Sequence, residues 1–197
     1  MKNLSLESHL PPNTWALLTH WMSPYPCSVL LSRPRATKRG DFRPPRKHRP
    51  AVITLNNDLA PFEMLLTLTH EIAHLINWSE NGPRVQSHGP EWKATFSRLH
   101  KELAQVTSLP EELRKAFLRH AQKPKSSCVY DAELTALMRQ LSGESHTTLD
   151  DIQIGKHFLF RRKRFIKLSS QRTRCICQDH QTGQRYRISK IAEVQAM

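Results

Sequence analysis

His70, Glu71 and His74 stand in the run MLLTLTHEIAHLI, whose other residues are almost all apolar. On a helix, positions i and i+4 lie on the same side, so the imidazoles of His70 and His74 can both point at a single metal ion. Glu71 is displaced by about 100° around such a helix. From there its carboxylate can reach a water beside the ion without ligating the ion itself. A zinc ion held by three protein ligands keeps a fourth position open and lowers the pKa of water there to about 7. A glutamate so placed can take a proton as that water attacks a peptide carbonyl. The competing reading is an ordinary helix with polar residues on its outer face. Three polar groups inside an apolar stretch are costly unless they are used, which favours the metal reading.

A third ligand is needed, and two residues offer one. Glu80 follows His74 by six positions, the spacing of one class of zinc peptidases, but that class turns the chain with a glycine where this sequence has Asn77. His88 lies in SHGPEW, where Gly89 and Pro90 end a loop and open a helix. A histidine at such a corner can swing back over the first helix, and His88 is the preferred ligand. The expectation is one Zn2+ per chain.

The elements that must position these residues are legible on either side. APFEMLLTLTHEIAHLINW (60–78) reads as a helix with Pro61 in its first turn, and GPEWKATFSRLHKEL (89–103) as a second with Pro90 and Glu91 in its first turn. PPNTWALLTHWM (11–22), PEELRKAFLRHA (110–121) and DAELTALMRQL (131–141) read as three more helices. CSVLLS (27–32) and AVITLN (51–56) have the length and composition of strands. From residue 152 onward, apolar and basic residues alternate, which predicts three to five short antiparallel strands. The organisation expected is a domain over 1–122, a linker containing a helix over 123–151, and a small basic β domain over 152–197.

The chain of 197 residues carries a formal net charge of +13, and a balance so basic favours a polyanionic partner. Two segments concentrate it. Residues 33–50 hold eight basic side chains among several prolines and read as an exposed loop or arm. Residues 156–174 hold the second group, interleaved with Phe158, Phe160 and Phe165. These rings either stack on unpaired bases or fill the core of the small domain, and the core is the better reading for so short a segment. Arg35, Lys38, Arg39 and Arg43, with Arg161, Arg162, Lys163 and Arg164, are the candidate nucleic-acid contacts. Charge without a base-reading motif predicts DNA binding with little sequence preference, to single strands among others, and leaves RNA open. No apolar run is long enough to span a membrane, the N-terminal stretch does not read as a secretory signal, and four scattered cysteines do not form a disulfide framework. A cytoplasmic protein is expected, free or associated with the nucleoid.

LTHEIAHL followed by SHGPEWKATF resembles the SprT-like, or Spartan-type, zinc metallopeptidases. Their pattern is a histidine pair around a glutamate, a loop, and then His-Gly-x-x-Trp or Phe opening the next helix. RPRATKRGDFRPP and ITLNNDL resemble that family's Arg/Lys–Gly stretch and its strand-Asn-x-x-Leu lead-in, so the resemblance covers roughly residues 12–120. It implies an α+β, zincin-like metallopeptidase domain, with His70, His74 and His88 as zinc ligands and Glu71 as general base. It further implies, as substrates, proteins joined to DNA. Many bacterial members carry a C-terminal zinc ribbon, but here only Cys175 and Cys177 are paired, with His180 nearby and Cys128 far upstream. No complete tetrahedral set for a second metal is visible, and the tail is similar to the non-ribbon β tail of some bacterial members. Two alternatives stay open. One is a peptidase with no nucleic-acid role. The other is a non-catalytic nucleic-acid-binding protein with structural zinc, against which an intact Glu71 argues.

Overall fold

The computed structural model describes residues 6–35, 37–125, 132–142 and 147–197. Cys128 and part of the stretch expected to link the domains, residues 126–131 and 143–146, lie outside these residues. The chain divides into two compact units, residues 1–142 and 143–197, each with its own core. Among the described residues there are five α-helices and two sheets, an α+β composition. No helix among them is long and apolar enough to cross a membrane.

In the first unit, a short 3-10 turn (Glu7–His9) and α1 (Trp15–Met22) precede a three-stranded sheet. Its strands are β1 (Cys27–Ser32), β2 (Gly40–Arg43) and β3 (Ala51–Asn56), in the order β1-β3-β2. β3 runs parallel to β1 and antiparallel to β2, and its apolar residues Ile53 and Leu55 are fully buried. β2 is a correction to the expectation of an exposed arm. Residues 40–43 carry one apolar side chain, too little for an alternating pattern, yet antiparallel pairing with β3 and the packing of Phe42 against the core order them.

α2 (Pro61–Asn81) is the central helix, with Met64, Leu65, Leu68, Ile72, Leu75 and Ile76 all buried. It starts with proline, whose missing N–H costs nothing in the first turn. It stops at Gly82, whose φ of +79° places it in the left-handed region and whose N–H reaches back to the Trp78 carbonyl. α3 (Pro90–Leu103) packs between α2 and α4 (Glu111–Gln122), burying Trp92, Phe96, Leu99 and Leu103. α5 (Ala132–Leu141) buries Leu134 and Met138 in the same core, so this helix, read from sequence as part of a linker, is a packed element of the first unit.

The second unit is a five-stranded antiparallel sheet in the order β7-β6-β5-β4-β8. Its strands are β4 (His157–Phe160), β5 (Lys163–Ser170), β6 (Arg174–Asp179), β7 (Arg185–Ser189) and β8 (Gln195–Ala196). Phe158, Phe165, Cys175, Cys177 and Ile188 alternate onto one face and form its core with Leu149, Ile152 and Val194. Leu149 and Ile152 place the start of this unit's packing before the strands themselves. Lys167 is also buried, and its ammonium donates to the carbonyls of Leu149 (2.8 Å), Asp150 (3.2 Å) and Ile152 (2.6 Å). It is a strut between β5 and the segment before β4, not part of a solvent-facing charge patch.

Candidate metal centre and basic hairpin

One turn of α2 separates His70 from His74, and the turn before α3 supplies His88. That turn is tight, with the Gly89 N–H bonded to the Gln86 carbonyl at 3.1 Å. A Cβ on Gly89 would stand 3.0 Å from that of Gln86, so glycine lets the corner close where His88 must point inward. The three Nε2 atoms converge: His74 to His70 is 3.1 Å, His74 to His88 is 3.1 Å and His88 to His70 is 3.3 Å. Three ring nitrogens in a triangle cannot all be joined by hydrogen bonds, since each is either a donor or an acceptor and at least two must have the same role. Ligands about 2.0–2.1 Å from a tetrahedral zinc ion lie roughly 3.3 Å apart, which is the spacing seen. Among the described residues this is the only group of three or more side chains arranged to hold a metal ion. Cys175 and Cys177 form no such group with His180; both thiols are buried in the second core.

The environment keeps these imidazoles in the neutral, metal-binding form. Burial drives the His70 pKa down to about 2, helped by the neighbouring imidazoles of His74, His88, His100 and His120. Burial, then His88, takes His74 to about 4, and burial also lowers His88. Trp92, fully buried, backs the whole group, with ring centroids 4.7, 5.2 and 4.8 Å from those of His70, His74 and His88. Behind it Phe96, His100 and His120 continue a file of packed rings. The histidines of that file were not singled out in the sequence. Their spacing on α3 and α4 marks buried faces but carries no ligand signature.

Glu80, the other candidate ligand, is elsewhere. α2 continues to Asn81 without turning after His74, and the Glu80 carboxylate accepts a hydrogen bond from the Tyr25 hydroxyl at 2.9 Å.

Glu71 is buried under β2. Its carboxylate accepts a hydrogen bond from the Phe42 backbone N–H, while burial and then the charge of Asp41 push its pKa up to about 8 against that bond and the charges of Arg35 and Lys38. Phe42 also lays its ring parallel to that of His74, at 6.4 Å between centroids and 8° between planes. Phe42 did not stand out in the sequence, and Gly40 entered only as part of the Arg/Lys–Gly stretch, because both lie in a segment dominated by charge.

The two basic segments are built differently. Arg35 donates to the Asn56 carboxamide (2.8 Å), the Thr54 hydroxyl (2.9 Å) and the Thr54 carbonyl (3.2 Å), which staples its loop to β3. Arg39 pairs with Glu63, and Asp41 takes both Lys38 (2.8 Å) and Arg43 (3.0 Å). All four expected nucleic-acid contacts of this segment therefore have partners within the first unit. In the second unit, Arg161, Arg162, Lys163 and Arg164 are all exposed around the two-residue turn joining β4 to β5. Arg161 and Arg162 have φ of +50° and +65°, a left-handed pair that such a hairpin requires and that Asn-Gly would supply at little cost. Each non-glycine residue held there costs about 1–2 kcal/mol. Arg161 lies over the Phe160 ring at 5.2 Å, and Lys163 is 4.0 Å from Asp179. Phe158 and Phe165 are buried in the core, so the aromatic residues left to meet a base are Phe160 and Tyr186.

Comparison with known proteins adds one positive finding. Residues 29–115 match the SprT-like family, a span that runs from β1 into α4 and includes all three histidines and Glu71. No curated protein and no solved structure matches the chain. The family is associated with metallopeptidase activity and is usually zinc-dependent.

Proposed function

Through residues 29–115 the chain belongs to the SprT-like family, and on that premise we propose that its first unit is a zincin-like, zinc-dependent endopeptidase acting on proteins held on DNA. The observation that carries the peptidase reading is the convergence of three Nε2 atoms at 3.1–3.3 Å beside a buried carboxylate. His70, His74 and His88 would hold the ion. When bound, zinc supplies Lewis-acid activation of water and of a carbonyl near neutral pH. Its charge would also draw the Glu71 pKa back down, leaving a carboxylate able to accept a proton. Glu71 then takes a proton on a carboxylate oxygen as the peptide carbonyl is attacked, and gives it to the departing amine. The Phe42 N–H keeps that oxygen pair from rotating freely. Glu71 also separates this reading from a structural zinc site, which has no use for a buried base.

The nucleic-acid half of the reading rests on the second unit. Two strained arginines at an exposed hairpin tip, followed by Lys163 and Arg164, present charge where a phosphate backbone can reach it. The internal pairing of the first segment favours the β hairpin as the main contact. It also supports the second reading, a peptidase without a nucleic-acid role, because it engages four of the segment's eight basic side chains, while Arg33, Arg46, Lys47 and Arg49 stay exposed. The deciding experiment measures zinc content, cleavage of casein and of histones, and the effect of single-stranded DNA on both. Zinc-dependent cleavage stimulated by DNA supports the full reading. Cleavage indifferent to DNA leaves the peptidase alone, and zinc without cleavage removes the enzyme.

A further inference from the structure

We propose that Gly40 is a positioning residue for the reaction: by carrying no side chain, it lets β2 close on α2 and fixes the Glu71 carboxylate. This rests on the peptidase reading for its consequence, though not for its geometry. A Cβ built on Gly40 would stand 2.7 Å from Oε1 of Glu71, 2.9 Å from its Cγ and 2.7 Å from Cγ2 of Thr67. Real side chains do not tolerate such distances, so something must move.

The pairing of β2 decides what moves. The Asn56 N–H bonds the Arg39 carbonyl at 2.8 Å, so in the register Gly40↔Leu55 and Phe42↔Ile53 the backbone groups of residues 39, 41 and 43 face β3. Those of Gly40 and Phe42 face away from it, along the open edge of the sheet. The Phe42 N–H on that edge is the one that Glu71 accepts. The strand cannot easily back away, because the loop before it is tied down. The buried Asn56 amide donates to the carbonyls of Arg35 (3.2 Å) and Lys38 (3.1 Å), and the Arg35 guanidinium returns to Asn56 and Thr54. The far end of Glu71 is the flexible partner, so an added methyl displaces the carboxylate and breaks its bond to Phe42 rather than unfolding the sheet. None of the three atoms nearest the added methyl belongs to His70, His74 or His88.

The test uses the full-length, zinc-loaded protein with Gly40→Ala, alone and combined with Thr67→Ser. The expected result is one zinc per chain as in wild type, with kcat on casein down by about 10–100-fold at unchanged KM. The Phe42 amide should exchange with solvent at least about tenfold faster than in wild type. Removing the Thr67 methyl should restore little of the loss. Wild-type kcat in Gly40→Ala, a parallel loss of zinc, or full rescue by Thr67→Ser would each overturn the proposal. Should Gly40→Ala fail to fold, Glu71→Ala with Gly40 intact carries the test, since the Phe42 amide must lose its protection there too. An unchanged Phe42 amide in Glu71→Ala sinks the inference whatever the activity. A wild-type protein without peptidase activity but with a Glu71-protected Phe42 amide would instead remove the peptidase reading and keep the geometry.

Discussion

The Nε2 atoms of His74 and His88 lie 3.1 Å apart although fourteen residues separate them and they belong to a helix and to a turn. That closeness is built by the Gly82 stop of α2, the tight corner at Gly89 and the buried Trp92 behind both rings. It makes His88 the third ligand to test. His88→Ala should weaken zinc retention by more than the 10–100-fold or so that losing a supporting contact costs. Glu80→Ala should retain zinc fully, because its carboxylate is engaged with Tyr25. Zinc analysis after dialysis against a graded chelator series checks both, and the opposite pattern would move the site.

Glu71→Gln separates binding from chemistry. The amide keeps the shape of the side chain and cannot accept a proton, so zinc content should be unchanged while peptide hydrolysis falls by about 10²–10⁴-fold. Steady-state cleavage of casein by the metal-loaded variant is the measurement, and a wild-type rate would take Glu71 out of the mechanism.

Metal-free protein should show a stability maximum near pH 6.5. The folded pKa values of His70 and His74, about 2 and about 4, lie below their ordinary 6.5. The unfolded chain therefore binds more protons below 6.5, and stability is lost as pH falls through that range. Glu71 acts in the opposite sense. Its folded pKa of about 8 lies above the ordinary 4.5, so the folded state holds the extra proton and stability declines as pH rises between these values. Below 6.5 the histidines outweigh the one acid, and from there to about pH 8 the acid outweighs the histidines. Denaturant midpoints across pH in the presence of chelator should trace this dome, and Glu71→Gln should flatten its alkaline side. An alkaline decline that persists in Glu71→Gln would mean another group is responsible.

Replacing Arg161, Arg162, Lys163 and Arg164 by glutamine should weaken DNA binding and reduce the slope of log affinity against log salt by up to about 3–4. Cleavage of a small free peptide and zinc content should stay the same. Lys38→Gln with Arg43→Gln should cost less affinity, since both already neutralise Asp41. Titrations at two salt concentrations decide it, and equal slopes for wild type and the hairpin variant would show that the second unit is not the nucleic-acid module.

How much of this was legible in the sequence depends on whether the signal was local. α2 and α3 announce themselves through proline starts and long apolar stripes, and the His70–Glu71–His74 spacing states its chemistry wherever a helix forms. His88 was readable because glycine and proline mark the corner beside it. β2 was not, because an edge strand of four residues with one apolar side chain gives no period to detect. The pairing of Arg35 and Arg39 was hidden for a different reason: composition counts charges, while their partners Thr54, Asn56 and Glu63 are distant in sequence; Lys38 and Arg43 instead share the neighbouring Asp41. Lys167 was within reach. It lies two residues from Phe165 on one strand, so the alternation that puts the ring inside puts the lysine inside as well.

That inward lysine gives the second unit a chemical clock of its own. An ammonium enclosed by the carbonyls of Leu149, Asp150 and Ile152 is shut off from reagents that acylate amines, whereas Lys163, at the start of the same strand, lies open to them. Its labelling rate therefore reads how often the β unit opens, independently of anything that happens at the histidines. Lys167→Met would strand three carbonyls without their donor at a cost of about 2–4 kcal/mol. Tolerance of acylation at the other lysines, set against silence at this one, makes the basic surface chemically divisible: charges that meet solvent can be erased in the native protein, and the charge that holds the sheet to its lead-in segment cannot.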